Sequence, residues 1–187
     1  IRNSAFQVAH LEKKEVQRHP TAPFTTSTLQ QEAARKLGFS TTRTMRTAQQ
    51  LYEGIDLGEG ERTGLITYMR TDSVNLANEA VKSIRHFIQD RFGQEYTSSK
   101  PRLYKSKARN AQEAHEAIRP TDAARQPEEI KQYLNSDQYK LYKLIWKRTV
   151  ACQMASALFD QVTIDIENTS HTAQLRAVGS TLKFDGF

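Results

Sequence analysis

The spacing of the hydrophobic residues changes twice along this chain. Phe6 and Val8 near the start alternate with polar residues, as do Val162, Ile164 and Ile166 near the end, and such alternation is typical of β-strands. Between these ends the hydrophobic residues recur at the three- and four-residue spacing of helices. The pattern predicts an α+β fold in which a mainly helical domain is inserted into a small antiparallel β domain formed by both chain ends.

Domain boundaries are expected where the spacing changes. The predicted ranges are 1–24 for the first part of the β domain, 25–157 for the helical domain and 158–187 for the second part of the β domain. Within the first range, a polar link from Leu11 to Lys14 is consistent with a hairpin.

Cap residues and glycines delimit the predicted helices. Threonine and serine are favoured N-caps and glycine is a favoured stop, which predicts two short helices, from Thr25 to Gly38 and from Ser40 to Glu53. They form a helix-turn-helix-like (CAP-like) pair, which is either a DNA-groove reader or an ordinary helical hairpin. Further helices are predicted at residues 78–92, 112–118 and 136–158.

Composition favours an anionic partner and a reducing compartment. Lys and Arg number 27 against 21 Asp and Glu, which gives a net charge of +6 and a pI near 9.5. Cys152 is the single cysteine, so an internal disulfide and a cysteine cluster for zinc are excluded, and its apolar neighbours indicate a buried helix face. No apolar run approaches the ~18 residues of a membrane span. We therefore expect a soluble, cytoplasmic protein. Because the chain starts without Met and stops after a strand-like run, we also expect that it is an excised fragment.

Residue spacing separates three kinds of catalytic site. His115-Glu116 resembles half of a zinc-protease helix, but Arg119 stands where the second histidine is required. A cysteine or serine hydrolase needs a nucleophile beside a histidine base, and no such elbow is indicated. The third kind is phosphoryl transfer to Tyr68, because an extended segment directs Tyr68 and Arg70 toward one cleft, where Arg70 can bind the phosphate. The alternative is a structural tyrosine beside a surface arginine.

Several segments resemble one known family. Residues 64–73, Gly-Leu-Ile-Thr-Tyr-Met-Arg-Thr-Asp-Ser, resemble the active-site signature of the type IA DNA topoisomerases, in particular the bacterial topoisomerase I group. Residues 111–121 resemble the downstream family motif, and residues 23–31 and 51–53 resemble the helices that precede the tyrosine. The resemblance covers most of the chain from residue 23 onward, and it implies that the β domain is part of the family's arch.

The resemblance implies an ATP-independent isomerase that cleaves DNA strands. Tyr68 would attack a phosphodiester of single-stranded DNA and leave a 5′-phosphotyrosine and a free 3′-hydroxyl, so that another strand can pass and negative supercoils relax. Arg70 would hold the scissile phosphate, and His115 would position phosphate or pass protons. Further DNA contacts are expected at Thr28, Gln31, Tyr52, Thr71, Asp72, Ser73 and Arg119.

The family also implies parts that this sequence does not resemble. In the family an acidic Toprim domain binds Mg²⁺, and no strand here ends in a glutamate or in an Asp-x-Asp pair. We therefore expect Mg²⁺ only in the full-length enzyme, no metal site in this chain, and an inactive isolated fragment. The expected partners are DNA, as a single-stranded segment, and the remaining domains of the same enzyme. We expect a monomer that is associated with the nucleoid and does not bind membranes.

Two alternatives remain open. The chain could be a non-catalytic DNA-binding or protein-interaction module whose interface is the helix-turn-helix pair, with Tyr68 structural. It could also belong to a reverse gyrase, which shares the tyrosine motif and adds a helicase-like domain. The first interpretation, a topoisomerase, predicts salt-dependent binding to single strands through Arg70, Arg102, Lys105 and Lys107.

Overall fold

The computed structural model describes residues 4–58, 60–104 and 116–187. Within these ranges the chain forms two compact units: a helical unit from Pro20 to Met154, and a sheet unit from the segments before Pro20 and after Met154. The predicted α+β class, with an antiparallel sheet built from both chain ends, is confirmed. The described elements in chain order are β1 Phe6–Arg18, α1 Thr26–Leu37, α2 Thr41–Glu53, β2 Ile55–Asp56, β3 Arg62–Thr63, α3 Asn78–Phe92, α4 Ser136–Gln153, β4 Ala157–Asn168 and β5 Gln174–Phe184, with single 3-10 turns at Gln94–Tyr96 and Lys131–Tyr133.

The sheet unit has three antiparallel strands in the order β1-β4-β5. Val8 lies opposite Ile166, which in turn lies opposite Leu175. The hairpin considered for the first segment is wrong, because β1 is one strand of 13 residues. The link from Leu11 to Lys14 pairs residue by residue with β4, and it contains none of the Gly, Pro, Asn or Asp residues that tight turns favour.

The first two helices begin and end at the predicted cap residues. The Thr25 side chain accepts a hydrogen bond from Thr28 N in a capping box, and Gly38 ends α1 with a left-handed φ of 67°. Ser40 caps α2 by accepting a hydrogen bond from Arg43 N. Only the segment from Gly38 to Ser40 connects the two helices, and its central Phe39 is buried.

The fourth helix is shorter than the sequence pattern predicts. α4 ends at Gln153 instead of Leu158. Its last carbonyls accept hydrogen bonds from other segments: Cys152 O from the Tyr104 hydroxyl, Gln153 O from Ser98 N, and Met154 O from Arg102 Nε. Because these partners occupy the positions that further helical N–H groups would fill, the chain leaves the helix and enters β4.

The predicted helix at residues 112–118 lies mostly outside the described residues. Its described end, Glu116 to Ile118, is not helical. Ile118 instead forms a bridge with Phe24 and donates its N–H to Phe24 O at 2.8 Å. Phe24 is fully buried, so the helical unit begins earlier than residue 25.

One hydrophobic core lies in the helical unit. The Trp146 ring is buried and its Nε1 donates to Ala123 O at 2.8 Å. Cys152 is fully buried, as predicted from its neighbours. In the part of the chain that the structure describes, no helix is long and apolar enough to cross a membrane. The largest fully buried hydrophobic side chains are Tyr142, Phe24, Leu29, Leu51, Leu65, Ile66, Ile88, Ile118, Leu141 and Ile145.

Candidate active site

The tyrosine loop, defined here as residues 64–73, is an extended segment between β3 and α3. From Tyr68 onward its side chains alternate between solvent and the interior. Tyr68, Arg70 and Asp72 are exposed, whereas the intervening residues Met69, Thr71 and Ser73 are buried. Alternate residues of an extended chain point to the same side, so the phenol of Tyr68 and the guanidinium of Arg70 share one exposed face.

The first half of the loop is fixed by backbone hydrogen bonds to two other segments. Leu65 N donates to Leu51 O at the end of α2, at 2.8 Å. On the other side Thr121 N donates to Leu65 O at 3.0 Å, and Thr67 N donates to Arg119 O at 2.9 Å. The loop therefore forms a short antiparallel pairing with residues 117–121, which the sequence does not predict.

Gly64 allows the loop to approach α2 closely. A Cβ atom at this position would lie 2.9 Å from Tyr52 O, which is shorter than side-chain carbons are found from a backbone oxygen. Any larger residue would push the loop away from Leu51 and weaken the hydrogen bond between Leu65 and Leu51. The glycine of the motif thus sets the distance between the end of α2 and the tyrosine.

The second half of the loop is fixed by the first residue of α1. Thr26 N donates to Thr71 O at 2.9 Å. The Thr26 hydroxyl lies 2.8 Å from Met69 O, to which it donates, and it accepts a hydrogen bond from Thr71 N at 2.8 Å. Tyr68 is therefore held between two fixed points, one at Thr67 and one at Met69.

Burial separates Tyr68 from the tyrosines that serve the core. The hydroxyls of Tyr104 and Tyr142 donate to backbone carbonyls, and burial raises the pKa of both phenols, that of Tyr104 to about 12. Tyr68 is 48% exposed, so its side chain is accessible from solvent. Tyr52, which is 43% exposed, packs edge-on against it, with ring centroids 5.4 Å apart and planes at 66°.

Arg119 is occupied by an ion pair. Its Nη2 lies 2.8 Å from Oε2 of Glu116, its Nε donates to Oε1 of the same carboxylate, and its Nη1 donates to Pro120 O. The Arg119 side chain is only 16% exposed. A DNA contact by this guanidinium therefore requires it to leave Glu116.

The structure brings together part of the predicted set of site residues. Tyr52, Tyr68, Arg70 and Asp72 lie on or beside the exposed side of the tyrosine loop. His115 lies outside the described residues, as do Lys105 and Lys107 of the predicted basic loop.

Four other predicted residues make hydrogen bonds that hold local structure. Thr71 Oγ1 accepts from Ser73 N, and Ser73 Oγ accepts from Asn75 N. Thr28 belongs to the capping box of α1, while Gln31 donates to the Ser27 hydroxyl and remains exposed. Thr71 and Ser73 are buried, so the exposed face of the loop is formed by the residues that alternate with them.

No metal site is formed by the described residues. Across 4–58, 60–104 and 116–187 no group of three His, Cys, Asp or Glu side chains is arranged to hold an ion. The described side chains therefore do not fit the Mg²⁺ that the family implies.

Three residues with direct roles in the site's geometry were missed by the sequence patterns. Thr26 and Thr67 hold the tyrosine loop through their hydroxyls, and Glu116 holds Arg119. The partners of Thr26 and Thr67 lie 43 to 52 residues away, and a single sequence carries no signal for pairs at such separations, whereas Glu116 and Arg119 have the local i, i+3 spacing.

Comparison with known proteins identifies a family for this chain. A family model described as DNA topoisomerase matches residues 1–187. DNA topoisomerase 1 of Rickettsia felis is 52% identical over the whole chain, and that of Rickettsia bellii is 54% identical over the whole chain. The chain spans 24% and 23% of these two relatives.

A solved structure shares the fold as well as the sequence. Full-length topoisomerase I from Thermotoga maritima superposes with a TM-score of 0.84 at 40% identity, and the match covers 97% of this chain and 28% of that one. Sequence and fold agree, and the chain belongs to the bacterial type IA DNA topoisomerase family.

Proposed function

We propose that this chain is the strand-cleaving module of a type IA DNA topoisomerase and that Tyr68 is its nucleophile. The observation that carries the proposal is the alternation in the tyrosine loop, which exposes Tyr68 and Arg70 on one face while Met69 and Thr71 anchor the loop in the interior. A nucleophile and a cation on one rigid, exposed segment are what attack on a phosphodiester requires.

The reaction exchanges one ester bond for another. The phenolic oxygen of Tyr68 bonds to phosphorus as the bond from phosphorus to the 3′ oxygen breaks. The phenol gives up its proton and the departing 3′ oxygen gains one, which leaves a 5′-phosphotyrosine and a 3′-hydroxyl. Attack by that hydroxyl reverses the exchange and reseals the strand, so the reaction needs no ATP.

Arg70 neutralises the phosphate that Tyr68 attacks. A guanidinium offers two parallel N–H donors to phosphate oxygens, which fixes the orientation of the group as well as its charge. Tyr52 packs against the nucleophile with an exposed ring, and aromatic rings of this kind stack on unpaired bases. Tyr52 therefore favours a single-stranded substrate next to Tyr68.

The remaining features follow from the family. His115 assists at the phosphate, and Asp72, Thr71, Ser73, Arg119, Thr28 and Gln31 line or support the DNA path. Mg²⁺ acts in the full-length enzyme, where other domains bind it. The enzyme is a monomer that acts on negatively supercoiled DNA at the nucleoid in the cytoplasm.

Trapping the covalent intermediate tests this function. The chain is combined with the Toprim-containing portion of a relative, Mg²⁺ and labelled single-stranded DNA, and the adduct is captured with detergent and mapped by mass spectrometry. We expect a 5′-phosphate on Tyr68, which Tyr68→Phe abolishes while DNA binding survives. Tyr133→Phe is the matched control, because Tyr133 is also exposed.

Two outcomes contradict the proposal. An adduct on another tyrosine identifies a different nucleophile. The second outcome is that the parts associate and Tyr68→Phe and Tyr133→Phe bind DNA equally well, but neither forms an adduct. That result favours the non-catalytic binding module.

A further inference from the structure

One hydroxyl group holds the tyrosine loop on both sides of Arg70. Thr26 Oγ1 lies 2.8 Å from Met69 O and 2.8 Å from Thr71 N. The first of these atoms belongs to the peptide group that precedes the Arg70 Cα, and the second to the peptide group that follows it. The hydroxyl donates to the carbonyl and accepts from the N–H, so both of its hydrogen-bonding roles are used.

Anchoring both peptide groups restricts the backbone dihedrals of Arg70. The φ angle of a residue is set by the peptide group before its Cα and the ψ angle by the one after it. With both groups held by one side chain, the direction of the Arg70 Cα–Cβ bond is fixed relative to the N-terminus of α1. Thr26 N adds a third hydrogen bond, to Thr71 O at 2.9 Å.

The hydroxyl has no proton left to donate to a phosphate oxygen. Its proton is directed to Met69 O, with Thr71 O at 3.1 Å as a second acceptor, and one of its lone pairs accepts from Thr71 N. Any influence of Thr26 on the reaction is therefore exerted through the backbone of the loop and not by contact with DNA.

We propose that Thr26 is a positioning residue for Arg70. Its hydroxyl aims the guanidinium at the phosphate that Tyr68 attacks, an inference that rests on the proposed function. A displacement of about 1 Å in a catalytic group can cost about 100-fold in rate, so loss of the hydroxyl is expected to slow strand cleavage about 10- to 100-fold. DNA affinity changes little, since the other contacts to the strand remain.

The chain offers a matched set of variants. Thr26→Val removes the hydroxyl at nearly constant shape, and Thr26→Ser keeps it. Thr44→Val makes the same change at a buried threonine of α2, where Oγ1 donates to Ser40 O at 2.9 Å within the helix. Thr26→Ala replaces the valine variant if the valine variant does not fold.

The variants are compared by single-turnover cleavage of labelled single-stranded DNA at saturating concentration, in a full-length topoisomerase that contains this chain. We expect slow cleavage for Thr26→Val, nearly normal cleavage for Thr26→Ser and normal cleavage for Thr44→Val. Equal rates for Thr26→Val and Thr44→Val overturn the inference.

A double-variant cycle with Arg70→Ala separates positioning from general support of the fold. If Thr26 acts through Arg70, Thr26→Val slows cleavage less than about twofold once Arg70 is already alanine. An equal slowing in both backgrounds overturns the inference. Tyr68→Phe is included throughout to separate the two proposals. If Tyr68→Phe still forms the adduct, the proposed function itself is refuted. If Tyr68→Phe loses the adduct while Thr26→Val keeps full activity, only the role of Thr26 is refuted.

Discussion

Glu116 connects separate parts of the helical unit through one carboxylate. Its Oε1 accepts from Ala77 N, directly before α3, and both oxygens accept from the Arg119 guanidinium. Ala77 provides no side-chain cap for α3, so this distant carboxylate fixes the start of the helix. Arg119 in turn lies in the segment that pairs with the tyrosine loop. A single side chain thereby links the start of α3 to that segment.

Replacing Glu116 with alanine is expected to destabilise the helical unit. Arg119, which is mostly buried, would lose its partner, and Ala77 N would lose its acceptor. Breaking a largely buried pair in this way costs about 2–3 kcal/mol, after a discount for the 30% exposure of the Glu116 side chain. Denaturant unfolding measures the loss. The control is Glu128→Ala, where an exposed carboxylate 2.6 Å from Lys143 contributes less than about 1 kcal/mol; equal losses in the two variants would contradict the prediction.

The motif predicts the shared exposed face of Tyr68 and Arg70 better than it predicts the residues that support the tyrosine loop. Tyr68 and Arg70 fall two positions apart in one recognisable segment, so their shared face follows from the geometry of an extended chain. Thr26 hydrogen-bonds atoms 43 and 45 residues away, and Thr67 hydrogen-bonds atoms 50 and 52 residues away. Partners at such separations are selected by tertiary packing, which no local pattern encodes.

The ends of the helices were predicted well where a nearby residue terminates the helix and poorly where a residue from a distant segment does so. α1 ends at Gly38 and α2 begins after Ser40, because glycine and serine satisfy the terminal backbone groups locally. The end of α4 depends on Tyr104 and Arg102, which lie about 50 residues earlier in the chain. The helical spacing of hydrophobic residues continues past Gln153, so the length of α4 predicted from that spacing is too long.

Gly64 is the point where two elements, α2 and the tyrosine loop, approach most closely. Gly64→Ala is expected to separate them, since its Cβ would meet Tyr52 O, and to cost about 1–3 kcal/mol together with a loss of adduct formation. Thermal unfolding and detergent trapping measure the two effects. Gly179→Ala is the control, because a Cβ there meets no heavy atom within 4 Å; a tolerated Gly64→Ala would show that the loop can move without harm.

At the scale of the whole molecule, the hydrophobic core belongs to one of the two units. Every residue of the core cluster falls between Phe24 and Met154. The sheet unit is made from two distant segments, and several of its apolar side chains, including Val8, Leu11 and Leu175, are exposed. The change in hydrophobic spacing predicted this inserted organisation. The exact residues at which the chain passes from one unit to the other depend on tertiary contacts, such as those that bury Phe24.

The helical unit is therefore expected to fold without the sheet unit. Its ends are held close together, because Pro20 O and Cys152 O lie 3.2 Å and 2.9 Å from the Tyr104 hydroxyl, so removal of both flanking segments leaves the core and its hydrogen bonds intact. A protein of residues 20–154 should unfold cooperatively within about 5 °C of the helical-unit transition of the whole chain. Trp146 is the only tryptophan and is buried, so its fluorescence reports the core directly. A red-shifted emission without a cooperative transition would mean that the sheet unit supplies stability which the contacts inside the helical unit do not.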